Sequence, residues 1–460
     1  MNAQPLWTVA SVARALGLSG KFPETNIDFV TQDSRLVKPG SLFVALSGTP
    51  SGGFISSFAS SRDGWEFAAN AQAAGAAAMI VPRTIDGVGV PLLVVKDTLL
   101  DGLWALARAA RARFKGPVIG LTGSAGKTST KEFIAAYPEA DASPSSFNNF
   151  WGVPLTLCNA SPHASAWVVE MGMNQAGEIA RLSELTRPTV ALIVNVQPVH
   201  LEKLGSLEAI RHEKVSIAQG LPDNGVLVLP AGIDAPEWNG KVMRFGGAAD
   251  VRELKHASRG ESWDVQAEVS GRKIEFSLTP GAPHRLQNAL AALAAVHAAG
   301  LDEAALAKKL GHVGIMTGRG VEQAAGGTVL IDDSFNGNPA SMVAALDSLK
   351  ARPIKSGRRI AILGDMLELG TEAPAYHEEL ARHLSGIDGV YCVGPLMRNL
   401  YDLLPADQGL GWHEDPATLE PQAIASLLRS GDVVVVKGSK KMFWVNKFVP
   451  RLAAALQAGV

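Results

Sequence analysis

Cysteine is scarce in this chain: it has only Cys158 and Cys392, far apart and each in apolar surroundings. Two such thiols exclude a disulfide framework and give no zinc-ligand spacing. Both read as small buried hydrophobes. Net charge is scarce too. Against 42 Lys and Arg stand 44 Asp and Glu, which leaves -2, so no basic field draws nucleic acid. The one basic run, Lys350 to Arg359, reads as a solvated helix end and loop. Long apolar runs are also missing. The most apolar helical stretch, Asn288 to Gly300, is alanine-rich and falls short of the roughly 20 residues that span a bilayer. The first residues, MNAQPLWTVASVARALGL, lack the basic start and apolar core of a secretory signal. The expectation is a cytoplasmic protein without membrane insertion.

What the sequence does have is an alternation of short β-branched runs with helix-like stretches over 460 residues. That is the pattern of an α/β protein with mostly parallel sheets. The length suits several domains, and three units are expected, at 1–96, 97–317 and 318–460. The first holds a helix around Thr8–Leu18, strands at Leu42–Leu46, Ala77–Val81 and Leu92–Val95, and a long Gly/Ser-rich surface loop over Gly48–Ser61. The second holds a helix at Leu99–Phe114, strands at Val118–Thr122, Trp167–Val169 and Val190–Val196, and a late helix from Gln287 to Ala299. Gly314–Gly320 reads as a linker. The third, with strands at Val329–Ile331, Ile360–Leu363, Val390–Val393 and Val433–Val436, reads as a small doubly wound domain.

The sharpest local signal is Val118-Ile-Gly-Leu-Thr-Gly-Ser-Ala-Gly-Lys-Thr128. An apolar strand runs into Gly123, Ser124, Ala125 and Gly126, then Lys127 and Thr128, and a helix is expected to start near Thr128, with Ser129 beside it. Glycines let backbone N–H groups curl around phosphate oxygens, and a helix N-terminus adds positive potential. Lys127 is suited to neutralise the outer phosphates and the Thr128 hydroxyl to ligate Mg²⁺. Leu121 stands where the general phosphate-loop pattern has its first glycine.

Three further residues gain meaning beside such a loop. Glu170 ends the strand Ala-Trp-Val-Val, on the sheet edge where the loop sits, within reach of a metal beside the phosphates. His200, after the strand Val190–Val196, reads by itself as a structural histidine, and beside the loop also as a further magnesium ligand or a substrate contact. Lys214, on a helix expected over Ser206–Gln219, reads by itself as a surface lysine. Asn148 and Asn149 lie in a turn-rich loop, where their ordinary role is turn chemistry.

The ordered set of motifs resembles the Mur ligase family over essentially the whole chain. Asp33-Ser-Arg35, Pro39-Gly-Ser-Leu-Phe-Val-Ala-Leu46 and Asp63-Gly64 are similar to its N-terminal domain. Thr122–Thr128, Phe147-Asn-Asn149, Glu170-Met-Gly172, Asn195 with His200-Leu-Glu202, and Gln287-Asn-Ala-Leu-Ala-Ala292 are similar to its central domain. Ile331-Asp-Asp-Ser-Phe-Asn-Gly-Asn-Pro339, Ile362-Leu-Gly-Asp-Met-Leu-Glu-Leu-Gly370 with His377, and Lys437-Gly-Ser439 resemble the third domain of the branch that adds D-alanyl-D-alanine.

The resemblance implies a small α/β UDP-binding domain, a central ATPase-like parallel-sheet domain and a C-terminal Rossmann-like domain, with a site completed by domain closure. It implies a monomer that uses ATP and two Mg²⁺ ions. The implied substrates are UDP-N-acetylmuramoyl-tripeptide and D-alanyl-D-alanine, joined through an acyl phosphate. Glu170 and His200 match metal positions, and Lys214 matches a lysine that the family carbamylates. Asn288, Arg319, Asp333 and Asn336 match nucleotide positions. Ser34, Arg35, Asn148 and Asn149 match substrate positions. Departures from the pattern stand at Ser216, Arg285, Thr317, Phe335 and Trp151. The alternatives are a relative with the same activation chemistry and a different amine (another Mur or folylpolyglutamate-type ligase), and a nucleotide-binding relative without catalysis.

Overall fold

The computed structural model describes residues 5–55, 61–199, 201–260, 262–280, 282–352, 354 and 356–458. The described residues divide into two compact units. One comprises Met1–Val196 with Arg211–Val313, and the other Gln197–Ile210 with Gly314–Val460. The expected linker Gly314–Gly320 begins at the division between them.

The first unit carries two main sheets. Near the N-terminus Phe29–Thr31, Ser41–Val44, Ala76–Val81 and Leu92–Val94 run parallel in sequence order. The larger sheet has nine strands among the described residues. At its heart Val118–Thr122 lies between Val190–Ile193 and Ala166–Glu170, parallel to both. All three strands are fully buried, as expected for a parallel sheet covered on both faces.

The helix Lys127–Ala135 packs with Pro283–Ala298 against this sheet. Its Phe133 and Ile134 join Ile119, Leu121, Leu192 and the alanine-rich stretch Ala289–Val296 in one core. A proline in the first turn starts Pro283–Ala298, and its alanines allow close approach without large side chains between. Beyond Val226–Pro230 and Lys241–Phe245 the sheet ends in an antiparallel ribbon of Val251–Arg259, Ser262–Val269 and Arg272–Leu278. That ribbon was not expected from the sequence.

The second unit holds a six-stranded sheet among the described residues, in the order Val321–Ala325, Thr328–Asp333, Val433–Lys437, Arg359–Gly364, Gly389–Val393, Gly409–His413. It is parallel except for its first strand. Its four expected strands are present, each one to three residues longer than the apolar run that marked it.

Two expectations change here. The basic run Lys350–Arg359 is not simply solvated. The Arg358 guanidinium donates twice to Asp432, which is 0% exposed, and Nη2 reaches Oδ2 at 2.7 Å. The loop Gly48–Ser61 is not simply a surface loop either. Phe54 is buried, stacked on Phe150 with centroids 5.0 Å apart and 5.3 Å from Trp104. The Arg181 guanidinium lies over its ring at 3.8 Å and donates to Gly52 O. Residues 56–60 of that loop lie outside the described residues. No helix among the described residues is long and apolar enough to cross a membrane.

Candidate active site

Three adjacent parallel strands deliver the central candidates to one sheet edge. The register pairs Leu121 with Glu170 and Thr122 with Ile193. The glycine loop, Glu170 and the Asn195 turn therefore leave neighbouring strand ends.

The loop is held by backbone conformation and by two asparagines. Gly126 has φ 74°, a left-handed conformation that favours glycine. A Cβ there would lie 2.8 Å from Asn288 Oδ1, so Asn288, itself buried, closes one side of the loop. Asn195 braces the other. Its Oδ1 accepts from Ala125 N at 2.9 Å and its Nδ2 donates to Ala125 O at 2.9 Å, while its carbonyl accepts from Ser124 N at 3.1 Å. In the sequence Asn195 stands within a motif with no role attached. Its position two residues past a buried strand, on the loop's own sheet edge, was the available signal.

Lys127 Nζ turns back over the loop, donating to Gly123 O at 2.6 Å and to Ser124 O at 3.4 Å. Thr128 is buried in the first helical turn, with Ser129 half-buried beside it.

Glu170 is 1% exposed. Its Oε1 accepts from Asn148 Nδ2 at 2.7 Å, and its backbone N donates to Ser143 Oγ at 3.1 Å. Its Oε2 is buried and has no hydrogen-bond partner among the described residues. A buried carboxylate oxygen left unanswered is costly, and a divalent cation beside the loop would answer it. Magnesium prefers hard oxygen ligands, which Glu170 Oε2 and the Thr128 hydroxyl supply. These residues therefore fit the metal that the sequence implied. His200 lies outside the described residues.

Lys214 is 2% exposed, at the end of the helix Leu207–Val215. This corrects the reading of an isolated surface lysine on a helix running to Gln219. Burial, and next the charge of Lys127, push its ammonium well below the usual lysine range, while Glu213 pulls the other way. Glu213 is held elsewhere: its carboxylate accepts from Gly177 N at 2.7 Å and Ile179 N at 3.0 Å, capping the helix Glu178–Thr186. Lys214 is thus a buried amine biased towards its neutral form.

The other candidates separate by neighbourhood. Asn149 Oδ1 accepts from Gly152 N at 2.9 Å, at the start of the helix Gly152–Asn159, so its geometry is that of a cap. Arg35 is 86% exposed and doubly bonded to Asp33, whose carboxyl it holds below the usual range, and Ser34 lies half-buried between them. In the second unit Arg319 stacks over Phe335 at 4.3 Å, and Trp444 meets the same ring edge-on at 5.3 Å. Lys437 Nζ joins Asp333 Oδ2 at 2.7 Å to Asn336 O at 3.1 Å. In the sequence Lys437 stands within a motif with no function attached; here it ties two candidates together.

In the same unit, His377 is fully buried. Its Nε2 accepts from Met366 N at 2.9 Å and its Nδ1 donates to Ala373 O at 2.6 Å, which fixes a neutral tautomer, as burial also favours. Asp365 Oδ1 accepts from Met397 N at 2.7 Å, and burial raises its carboxyl to about 6.

A model of the Mur ligase middle domain matches residues 121–296, and a model of the Mur ligase glutamate ligase domain matches 319–440. The chain is 34% identical over 439 residues to the UDP-N-acetylmuramoyl-tripeptide--D-alanyl-D-alanine ligase of Escherichia coli (strain K12), covering 91% of this chain and 92% of that one. It is 30% identical over 456 residues to the ligase of the same name from Bacillus subtilis (strain 168), covering 94% and 95%. Among solved structures, MurF from Acinetobacter baumannii is similar with a TM-score of 0.82 at 27% identity, covering 97% of this chain and 99% of that one. MurF from Thermotoga maritima, solved in complex with ADP, is similar with a TM-score of 0.76 at 25% identity, covering 94% and 98%.

Proposed function

The chain belongs to the Mur ligase family, and from that premise we infer that it is an ATP-dependent ligase joining D-alanyl-D-alanine to UDP-N-acetylmuramoyl-tripeptide in peptidoglycan precursor synthesis. The γ-phosphoryl group of ATP passes to the C-terminal carboxylate of the tripeptide, giving an acyl phosphate and ADP. The amine of D-alanyl-D-alanine attacks the acyl carbon. The tetrahedral intermediate gives up the proton of its attacking nitrogen to the departing phosphate or to water and expels phosphate, leaving the amide.

The observation that carries this reading is the glycine loop beside a buried carboxylate with one unanswered oxygen, Glu170 Oε2. Ser124 and Ala125 N–H are held by Asn195, so Gly126 and the first turn of the helix Lys127–Ala135 are proposed to offer their backbone N–H groups to the phosphates, with Lys127 exchanging its carbonyl contacts for them. Thr128, Glu170 and His200 are the proposed holders of magnesium. Bound there, magnesium offsets the charge of carboxylate and polyphosphate and stabilises the transferring group.

Lys214, buried and biased towards its neutral amine, suits capture of CO₂ as a carbamate with loss of a proton, giving an anionic oxygen ligand. Asn288, Arg319, Asp333 and Asn336 are proposed nucleotide contacts. Ser34, Arg35, Asn148 and Asn149 are proposed on the substrate side. The proposed domain division is 1–96 for the UDP-linked substrate, 97–317 for ATP and 318–460 for the ligase domain. ATP and a nucleotide-linked acceptor are cytoplasmic metabolites, so the proposal includes a cytoplasmic location, with the enzyme working as a monomer.

The test is phosphate release from Mg-ATP with UDP-N-acetylmuramoyl-tripeptide, with and without D-alanyl-D-alanine, and the product weighed by mass spectrometry. Release that needs both substrates, with the pentapeptide formed, supports the reading. ATP binding without release refutes it, in favour of another amine and acceptor or a silent relative.

A further inference from the structure

Lys131 is a cation where packing alone has no need of one. It lies in the second turn of Lys127–Ala135 and is among the largest fully buried side chains of the protein. A buried ammonium costs free energy that an apolar side chain of similar length does not, unless its donors and charge are answered. Here they are answered in three directions. Nζ donates to Ser143 O at 2.6 Å and to Ser145 O, and pairs with Glu132 Oε1 at 3.0 Å.

Both carbonyls belong to the segment leaving the strand Ala140–Ala142. Ser145 has φ 48°, a left-handed conformation that a residue with a Cβ adopts only under constraint. Lys131 supplies a constraint at that carbonyl. From the same segment two contacts reach Glu170: Ser143 Oγ receives its backbone N–H, and Asn148 Nδ2 binds Oε1. The fit around Asn148 is close, since its carbonyl accepts from Gly172 N at 2.7 Å and a Cβ on Gly172 would lie 2.9 Å from its Cγ.

We propose that Lys131 is a positioning residue for the metal site: through Ser143, Ser145 and Asn148 it fixes the Glu170 carboxylate with Oε1 engaged and Oε2 open to a cation. This rests on the reading of Glu170 as a magnesium ligand. The lysine touches neither metal nor substrate, so its role is read in metal affinity rather than in turnover.

The experiment uses the full chain, with Mn²⁺ as the probe. Free Mn²⁺ is followed by electron paramagnetic resonance in the presence of ADP, and ADP affinity is measured separately in chelator. Removing a partner that orients a metal ligand typically weakens metal binding by about 10–100-fold, and that is expected for Lys131→Met with metal-free ADP affinity unchanged. Ser143→Ala keeps Lys131 and removes only the hydroxyl that receives the Glu170 N–H. It is expected to weaken Mn²⁺ in the same direction, and it decides the matter if Lys131→Met does not fold. Glu170→Gln separates the proposal from its premise. If Glu170→Gln weakens Mn²⁺ while Lys131→Met and Ser143→Ala bind it as the parent does, the positioning role is overturned. If Glu170→Gln itself binds Mn²⁺ as the parent does, the premise falls and the proposal with it. Equal losses of Mn²⁺ and metal-free ADP in Lys131→Met make the lysine a brace for the loop alone, which also overturns it.

Discussion

Asn195→Ala isolates the brace of the glycine loop. The substitution removes the two side-chain bonds to Ala125, each 2.9 Å long, and leaves the backbone bond from Ser124 N to Asn195 O. A typical internal hydrogen bond contributes about 0.5–1.5 kcal/mol net, so the pair together favours this loop conformation by about 1–3 kcal/mol. The helix behind the loop is anchored separately by Phe133 and Ile134 in the core, so the fold should survive. The loss should then appear as weaker nucleotide binding, because the phosphates must first gather a loop that is no longer held. At 1.4 kcal/mol per tenfold, 1–3 kcal/mol is a loss of about fivefold to 150-fold in affinity. Isothermal titration of ADP into parent and variant reads this directly, and a thermal melt of each without nucleotide reads the fold. Asn195→Asp keeps the acceptor for Ala125 N but sets a carboxylate oxygen against Ala125 O, so it should bind no better than the alanine variant. Parent-like ADP affinity in Asn195→Ala, with only a lower melting temperature, would refute the reasoning.

Three further outcomes are expected. Asp432→Ala removes the carboxylate paired with Arg358 and leaves that guanidinium, side chain 21% exposed, without its partner; breaking such a pair costs about 3–5 kcal/mol, measurable by urea unfolding. Burial raises the Asp365 carboxyl from its ordinary value of 3.8 to about 6. A carboxyl raised on folding contributes stability that is full below its unfolded value and is lost as pH rises through its folded one. Stability should therefore fall between about pH 4 and 6 by about 3 kcal/mol, at 1.36 kcal/mol per unit. Asp365→Asn should flatten the unfolding free energy across that window, and an unchanged pH profile argues against the assignment. Lys214→Ala should lose activity that bicarbonate does not restore and short carboxylic acids partly do; full activity without rescue sinks the carbamate role.

The sequence made the central sheet and its edge legible because the physics there is local. Val118–Thr122 is a short, mostly apolar run that leads into the glycine loop, and its ends are those expected. The burial of Lys214 could not be read in the same way. A helical lysine looks the same in sequence whether it faces water or the core, and only the packing of Leu207–Val215 decides. The antiparallel ribbon over Val251–Leu278 was missed because its strands mix charged and apolar residues around turns, a weaker signal than the buried runs. Phe54 was missed because a Gly/Ser-rich stretch says nothing about the one aromatic inside it.

The departures from the family pattern can be weighed by what each side chain now does. The Arg285 guanidinium donates to Pro280 O, Thr279 O and Val313 O at 3.0, 3.2 and 2.8 Å and lies 4.9 Å from the Phe133 ring. It fastens the start of Pro283–Ala298, the helix that carries Asn288 to the glycine loop, and so acts behind the cradle. Ser216 Oγ donates to Glu213 O at 2.6 Å, one turn back on its own chain. Trp151 packs edge-on to Phe147 at 5.1 Å, beside the loop of Asn148. Phe335 is different: the Arg319 guanidinium, the Lys440 ammonium and the Trp444 ring all meet its side chain. A tyrosine hydroxyl there would offer a polar handle that phenylalanine lacks. Of the departures with a described contact, Phe335 is therefore the one whose reversal should register in ligand affinity rather than in stability. Phe335→Tyr, titrated with ADP, separates these two readouts.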